Sequence, residues 1–248
     1  MHLVPDPKKN QLLAALPEVE WRRWLPELEW IPMPQGMVLH EPDSTMSHAY
    51  FPTTAVVSLM NVLEDGASPE IATVGNEGVV GISLFMGGES MPSRAVVLCG
   101  GHGFRLTSHA IKGGFNHSVE VMHLLLRYTQ ALITQMGQTV VCSRHHSLVQ
   151  QLCRWLLLAL DRLPGYELAM TQELIANMLG VRREGVSDVA LRLQEAGLIR
   201  YARGRILVLD RKGLEAQACE CYAVVKREYN RLLPPKAFTP VLVKPGAC

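Results

Sequence analysis

MTQELIANMLGVRREGVSDVALRLQEAGLIRYARGRILVL, Met170 to Leu209, is the stretch that decides the fold. Thr171 is a helix N-cap residue, and the short apolar-periodic run QELIANML ends at Gly180. A second run, REGVSDVALRLQEAG, ends at Gly197, a residue suited to the position just past a helix C-terminus. LIRYA and RILVLD then flank Arg203-Gly204-Arg205 as two short strands. Two helices joined by a tight turn and followed by a β-hairpin predict a winged helix-turn-helix. Ala176 is small where the helices cross, and Gly180 supplies the positive φ of the turn. Ile175, Leu179, Val181, Val186 and Val189 supply the apolar contacts between the helices.

Such a motif lays the first turns of its second helix on base edges in the major groove. Arg182, Arg183, Glu184, Ser187 and Asp188 fall there. Arginine pairs bidentately with guanine, and glutamate accepts from cytosine N4. Thr171, Gln172, Arg203 and Arg205 are expected on the DNA backbone, the two arginines on the wing tip. Gly185 costs the helix about 1 kcal/mol relative to alanine and is read as letting the backbone approach DNA. From Met170 to Lys212 there are eight basic against five acidic residues. That local excess suits phosphate contacts, whereas the whole chain, at +1, is no general polyanion binder.

Outward toward the N-terminus, SLVQQLCRWLLLALDRL is apolar on several sides, which predicts a core helix. Pro164-Gly165 after it marks a boundary. Val119, Met122, Leu126, Thr129, Ile133, Met136 and Val140 recur at alternating steps of three and four, a heptad seam that predicts a dimer helix. Leu125 and Leu132 widen the stripe, and Gly137 is read as a bend or hinge. Residues before 116 open with apolar residues at helical spacing in LLAALPEVEWRRWLPELEW. Short strand-like runs follow: MVLH, AVVSLMNVL, EIATV, RAVVLC and GFRLT. Glu64-Asp65-Gly66 and Gly100-Gly101-His102-Gly103 read as turns between them. Many short strands with glycine punctuation predict a roll or sandwich.

At 248 residues the chain accommodates two ordinary domains. The first twenty residues lack a signal-peptide pattern, and WLLLAL is too short to span a bilayer, so a cytoplasmic protein without membrane partners is expected. The cysteines Cys99, Cys142, Cys153, Cys219, Cys221 and Cys248 show no C-x-x-C and no zinc-site pattern. Cys219 and Cys221, if helical, point apart. They are therefore expected to be small half-buried thiols, with no metal site, although a redox or metal pair is the competing reading. His145 and His146 are adjacent, and no close H-x-H pair exists.

With these residues in place, the chain resembles the Crp/Fnr family of bacterial transcription regulators. The resemblance is most specific in GVRREGVSDVALRLQEAGLI. Arg183, Glu184 and Ser187 match the family's recognition-helix pattern, but the arginine that follows there is Asp188 here. That change leaves the operator open. The resemblance implies an α+β chain with three parts. Residues 1–115 would form a jelly-roll-like, double-stranded β-helix sensor domain. Residues 116–142 would form the dimerisation helix, and residues 143–248 the winged DNA-binding domain with a helical extension. In nucleotide-binding members F-G-E-x-A-L is followed by R-S-A. In VVGISLFMGGESMPSRAVV, Gly81 fits the glycine, Ile82 replaces the glutamate, and Ser93 stands in the arginine's place. Arg94, one residue late, points to the other strand face.

Gly81, Ser93 and Arg94 are thus the candidate effector residues, with cyclic AMP not the expected effector and no cofactor required. Gly75, Gly78, Gly87 and Gly88, like Gly81, are expected to serve turns. No cysteine precedes Cys99, which disfavours a Fnr-type iron–sulfur cluster. His40, His48, His102 and His109 are available to a haem but are expected to be surface or satisfied histidines. No catalytic constellation is present, so an enzyme is not expected. The resemblance implies a homodimer on a pseudo-palindromic operator, with RNA polymerase a further candidate partner. The competing readings are a small-molecule, haem or redox sensor of the same fold, and a winged-helix protein–protein module that no longer binds DNA.

Overall fold

Short antiparallel strands, one of them (Val56–Asn61) buried along almost its whole length, build the N-terminal half. The computed structural model describes residues 5–163 and 165–234, so Pro164 of the expected boundary and Cys248 lie outside the described residues. Two short helices, α1 (Gln11–Ala14) and α2 (Glu18–Trp24), lead into seven strands. They are β1 (Glu29–Met33), β2 (Val38–His40), β3 (His48–Pro52), β4 (Val56–Asn61), β5 (Glu70–Val74), β6 (Ser93–Cys99) and β7 (Gly101–Thr107). One sheet has the order β2-β6-β4-β5 and faces another of order β1-β7-β3. This crossed order, with all pairs antiparallel, is that of a jelly-roll-like β-roll. A short helix α3 (Ser83–Met86) sits between β5 and β6.

Three local expectations are corrected. The tail of the predicted N-terminal helical stretch is strand β1, whose Glu29 pairs with Arg105 of β7 at 2.8 Å. Pro32 is tolerated because β1 is an edge strand. His48–Pro52, where the sequence predicts no strand, is the other edge strand. Gly101, His102 and Gly103 are not a turn but the start of β7, the central strand. A Cβ on Gly103 would come within 2.7 Å of Met33 Sδ and Phe51 O, so the glycine is there for close packing. The Glu64-Asp65-Gly66 turn closes the β4–β5 hairpin, with Leu63 N–H donating to Ala67 O at 2.8 Å.

Helix α4 (Ser108–His117) leads to α5 (Val119–His145), which Ser118 caps by accepting from Val121 N–H. Its inner face, Val121, Leu124, Leu125, Tyr128 and Leu132, is buried in the chain's own core. Leu125 and Leu132 therefore belong to this face and do not widen the outer stripe. The outer seam is exposed at Val119 (59%), Leu126 (43%), Ile133 (58%) and Val140 (62%). Met122 and Met136 are half-buried, and Thr129 is buried with its hydroxyl donating to Leu125 O. The helix runs uninterrupted through Gly137 and ends instead at His146. Ser147 then opens α6 (Leu148–Leu160) with a reciprocal capping box to Gln150.

Helix α6 is buried continuously from Gln151 to Leu160 and ties the two halves together. Arg162 just beyond it donates to Glu77 Oε1 (2.7 Å) in the roll and to Gln135 Oε1 (2.8 Å) on α5. The wing sheet has the order β8-β10-β9, from β8 (Glu167–Ala169), β9 (Ile199–Ala202) and β10 (Arg205–Val208). Between β8 and β9 lie α7 (Gln172–Leu179) and α8 (Arg183–Glu195). Strand β8 has no counterpart in the sequence reading, because ELA is too short to show a period. Helices α9 (Arg211–Gln217) and α10 (Glu220–Leu232) close the described chain, α10 lying along α5. Among the described residues no helix is long and apolar enough to cross a membrane.

Candidate nucleic-acid interface

The geometry of α7 and α8 follows from their ends. Thr171 Oγ1 accepts from Leu174 N–H at 3.2 Å, capping α7. Gly180 sits at φ 65°, ψ 36°, and Val181 N–H returns to Ala176 O at 3.0 Å. A left-handed glycine with a backward amide bond is the usual way to stop one helix and start another. Ile175, Ala176, Met178, Val186, Val189, Ala190 and Leu193 are buried between the helices and their support. Burying that many apolar side chains, at roughly 1.5–3 kcal/mol each for the larger ones, fixes the outward face of α8.

On that face Arg182, Arg183, Glu184 and Asp188 are exposed. Arg182 is the N-cap residue, extended and without a side-chain cap bond, so the first amides of α8 lack an acceptor from it. Ser187 is placed differently from expectation. Its hydroxyl donates to Gln172 Oε1 at 2.7 Å and lies 3.1 Å from Arg183 O. Ser187 and Gln172 therefore hold the two helices in register through the hydroxyl and Oε1. Gly185 is also corrected. A Cβ there would meet Leu148 Cδ2 at 3.0 Å, so the residue faces α6 and not the outside. The missing side chain permits close packing of α8 on the start of α6.

The wing turn is Arg203 (φ 51°) and Gly204 (φ 71°), a left-handed pair that matches a tight hairpin. Arg203 is exposed at its tip. Arg205 points along the sheet and pairs with Glu167 at 2.8 Å, although it remains largely exposed. Two residues that the sequence did not single out lock the wing to the helices. Tyr201 N–H donates to Gln194 Oε1 at 2.8 Å, and Tyr201 O–H donates to Met170 O at 3.0 Å. Burial raises the Tyr201 pKa and keeps that donor protonated. No one-dimensional signal marks these contacts, because each joins residues from different elements.

In the roll, Gly81 (φ 108°) and Ser93 line a small cavity with Met46, Leu59, Ile82 and Leu132. Its volume is only ≈ 10 Å³, about one water's worth of space. Arg94 lies on the opposite strand face and donates to Glu41 Oε1 at 2.8 Å. Gly75 and Gly78 do form a turn, Gly78 N–H donating to Gly75 O at 3.1 Å, and Gly78 also admits the Tyr128 ring. His40 has both ring nitrogens within bonding distance of neighbours, Met91 O at 3.3 Å and Ser44 Oγ at 3.2 Å. The His102 ring lies tilted against Trp30, and His48 contacts Ser47 Oγ at 2.8 Å.

The cysteine expectation fails in one respect. Cys219 is the N-cap of α10, outside the helix proper, so the helical rule that positions two apart diverge does not apply. Cys219 and Cys221 converge, together with Cys142 and His146 from the end of α5. The sequence concealed the group because its halves are separated by the whole helix-turn-helix.

Residues 150–217 match the family model described as a Crp-like helix-turn-helix domain. No curated protein matches the chain in sequence. Among solved structures, a transcriptional regulator assigned to the Crp/Fnr family, from Eubacterium rectale, is similar at TM-score 0.67 and 18% identity. The similarity covers 85% of this chain and 98% of that one. FixK2 from Bradyrhizobium japonicum is similar at TM-score 0.66 and 17% identity, over 77% of this chain and 98% of that one. The c-di-GMP-responsive global regulator CLP of Xanthomonas campestris is similar at TM-score 0.61 and 14% identity, over 78% and 100%. Residues 150–217 thus form a Crp-like helix-turn-helix domain, and the chain as a whole has the fold of the Crp/Fnr transcription regulators.

Proposed function

We propose that the protein is a homodimeric, sequence-specific DNA-binding transcription regulator. The observation that carries the reading is the first turn of α8. It presents Arg182, Arg183, Glu184 and Asp188 outward from a helix pair locked by Gly180 and the Ser187–Gln172 bond. Arg183 and Glu184 read base edges, and Arg182 and Arg203 supply positive charge to the backbone. Thr171 acts chiefly as the cap of α7, and Arg205, bonded to Glu167 through Nη1 alone, keeps its other donors for phosphate. The exposed apolar seam of α5 supports pairing of two copies through Val119, Leu126, Ile133 and Val140. Two winged domains on such a dimer address half-sites about one helical turn, roughly 34 Å, apart.

Cyclic AMP is not the effector in this reading. The cavity beside Gly81 and Ser93 is apolar and too small for a nucleotide, and the Arg94 guanidinium is bonded to Glu41 on the outer side. A recess of ≈ 320 Å³ lined by His40, Glu41, Ser44, His48 and Tyr50 is the better place for a small-molecule effector.

Selection of bound sequences from a random DNA library with the purified protein tests the function. A palindromic enriched motif is expected. Arg183→Ala should weaken its binding by about 1–3 kcal/mol and relax one base position. Binding of random and selected DNA with equal, weak affinity would instead favour a winged module that recognises protein, with Asp188 repelling phosphate.

A further inference from the structure

Cys142, His146, Cys219 and Cys221 meet where the end of α5 touches the start of α10. Their ligand atoms all lie within 4.8 Å of one another. Cys142 Sγ is 3.5 Å from Cys219 Sγ, and Cys221 Sγ is 3.6 Å from His146 Nδ1. A tetrahedral ion with bonds of about 2.3 Å to sulfur and 2.0 Å to nitrogen sets ligand separations of about 3.5–3.8 Å. These two separations match the edge lengths of a four-coordinate site, and the remaining ones lie within 4.8 Å. The three sulfurs are buried, and His146 is nearly so.

One neighbour points to a bound cation, and a second suits the charge of the loaded site. The other ring nitrogen of His146, Nε2, faces Glu220 Oε1 at 3.3 Å. A carboxylate behind a histidine is the arrangement that fixes the tautomer of a metal ligand. Arg154 of α6 is 4% exposed, and its Nε has no hydrogen-bond partner. Its Nη1 donates to Thr139 Oγ1 at 3.4 Å, and its guanidinium also lies against the Cys142 sulfur. The guanidinium also acts on the Glu70 carboxyl, and a site that carries net negative charge beside it adds to that balance.

We propose that Cys142, His146, Cys219 and Cys221 bind one zinc(II) ion in a tetrahedral site of three sulfurs and one nitrogen that clamps α10 to the end of α5. On binding, three thiols release three protons, and the neutral imidazole donates through Nδ1. The divalent ion and three thiolates leave one net negative charge, which faces Arg154. Three sulfurs and one imidazole select zinc over hard cations, and the closed four-ligand set marks a structural ion. The site adjoins Ser147 and Leu148, the residues that start α6, and Leu148 is the side chain on which Gly185 of α8 packs. Loading the site therefore stiffens the joint that carries the helix-turn-helix.

Elemental analysis of the full chain, purified without chelator under reducing conditions, should find about one zinc per chain. Replacing the zinc by cobalt(II) in the unmutated chain should give thiolate-to-cobalt charge-transfer bands and the intense visible bands of a tetrahedral ion. Cys219→Ser and Cys221→Ser should each reduce retained zinc at least about tenfold, while Cys99→Ser leaves it unchanged. The cobalt spectrum needs no variant to fold. A chain that carries no zinc and gives no cobalt absorption overturns the proposal. So does a chain that carries iron or copper there instead, or whose mass shows Cys142 joined to Cys219 as a disulfide under these conditions.

Discussion

Trp155 Nε1 donates to Glu70 Oε1 at 2.9 Å, so an indole on the first helix of the winged half holds a carboxylate on β5 of the roll. Ser58 Oγ donates to the other oxygen at 2.6 Å. Burial pushes the Glu70 pKa up from 4.5 to about 7, against the pull of these two donors and of Arg154 and Arg162. The folded chain therefore holds this proton more tightly than the unfolded chain. The stability from Glu70 is whole below pH about 4.5 and is lost as pH rises through about 7. Urea denaturation at several pH values should show a fall of up to about 3 kcal/mol from this group across that window. Glu70→Gln should remove that component, because its amide can accept from Trp155 and donate to Ser58. An unchanged slope in the variant would refute the assignment.

Arg162 and Glu77 form a buried ion pair, 5% and 7% exposed, at the meeting of roll, α5 and α6. Tyr229 of α10 lies under the guanidinium, 5.6 Å from its carbon. Glu77→Gln leaves that charge without its partner and should cost about 3–5 kcal/mol. Replacing both by apolar residues of similar volume should cost less than the single change. Equilibrium unfolding of the single and double variants measures the difference, and additive losses would contradict it.

Gly185 separates two accounts of the recognition helix. Its Cβ position points at Leu148, 3.0 Å from a movable methyl group. Gly185→Ala should leave DNA affinity within about twofold and alter stability by less than about 1 kcal/mol, since gained helix propensity offsets the crowding. Gly185→Leu should lower the melting temperature. If alanine abolished DNA binding while the fold stayed intact, the glycine would have to face the DNA after all.

Ile133 and Leu126 stand exposed on the outer seam of α5. Ile133→Glu places a charge at the centre of the proposed dimer contact and should shift sedimentation from dimer to monomer at micromolar concentration. The monomer's own fold should survive, because the buried face of the helix is untouched. A variant that sediments like the wild type would remove this seam from the interface.

The helix-turn-helix was legible in the sequence because its information is local. Gly180, Thr171 and Gly197 each answer a need of the chain within a few residues, and the structure places all three as helix-end residues. The α5 helix was legible for the same reason, since a period of three and four is a property of one helix, although Thr129 of the expected seam is buried and Met122 and Met136 are half-buried. The roll was legible only as a class. Its edge strands at Glu29–Met33 and His48–Pro52 contain prolines and are too short to carry a period, and they exist because β7 pairs with both.

Tertiary structure alone decided what side chains face. Gly185 turned inward because α6 lies behind it, and Ser187 was taken by Gln172, fifteen residues earlier. Cys142 and Cys219 became neighbours across seventy-seven residues. Local backbone preference depends on nearest neighbours in sequence, so the amino acids by themselves determined the helix ends, the turn and the α5 helix. Contacts between elements depend on how packed surfaces meet in space. The partners of Glu70, Arg162 and the cysteine–histidine group were therefore set only when roll, long helix and winged half closed on one another.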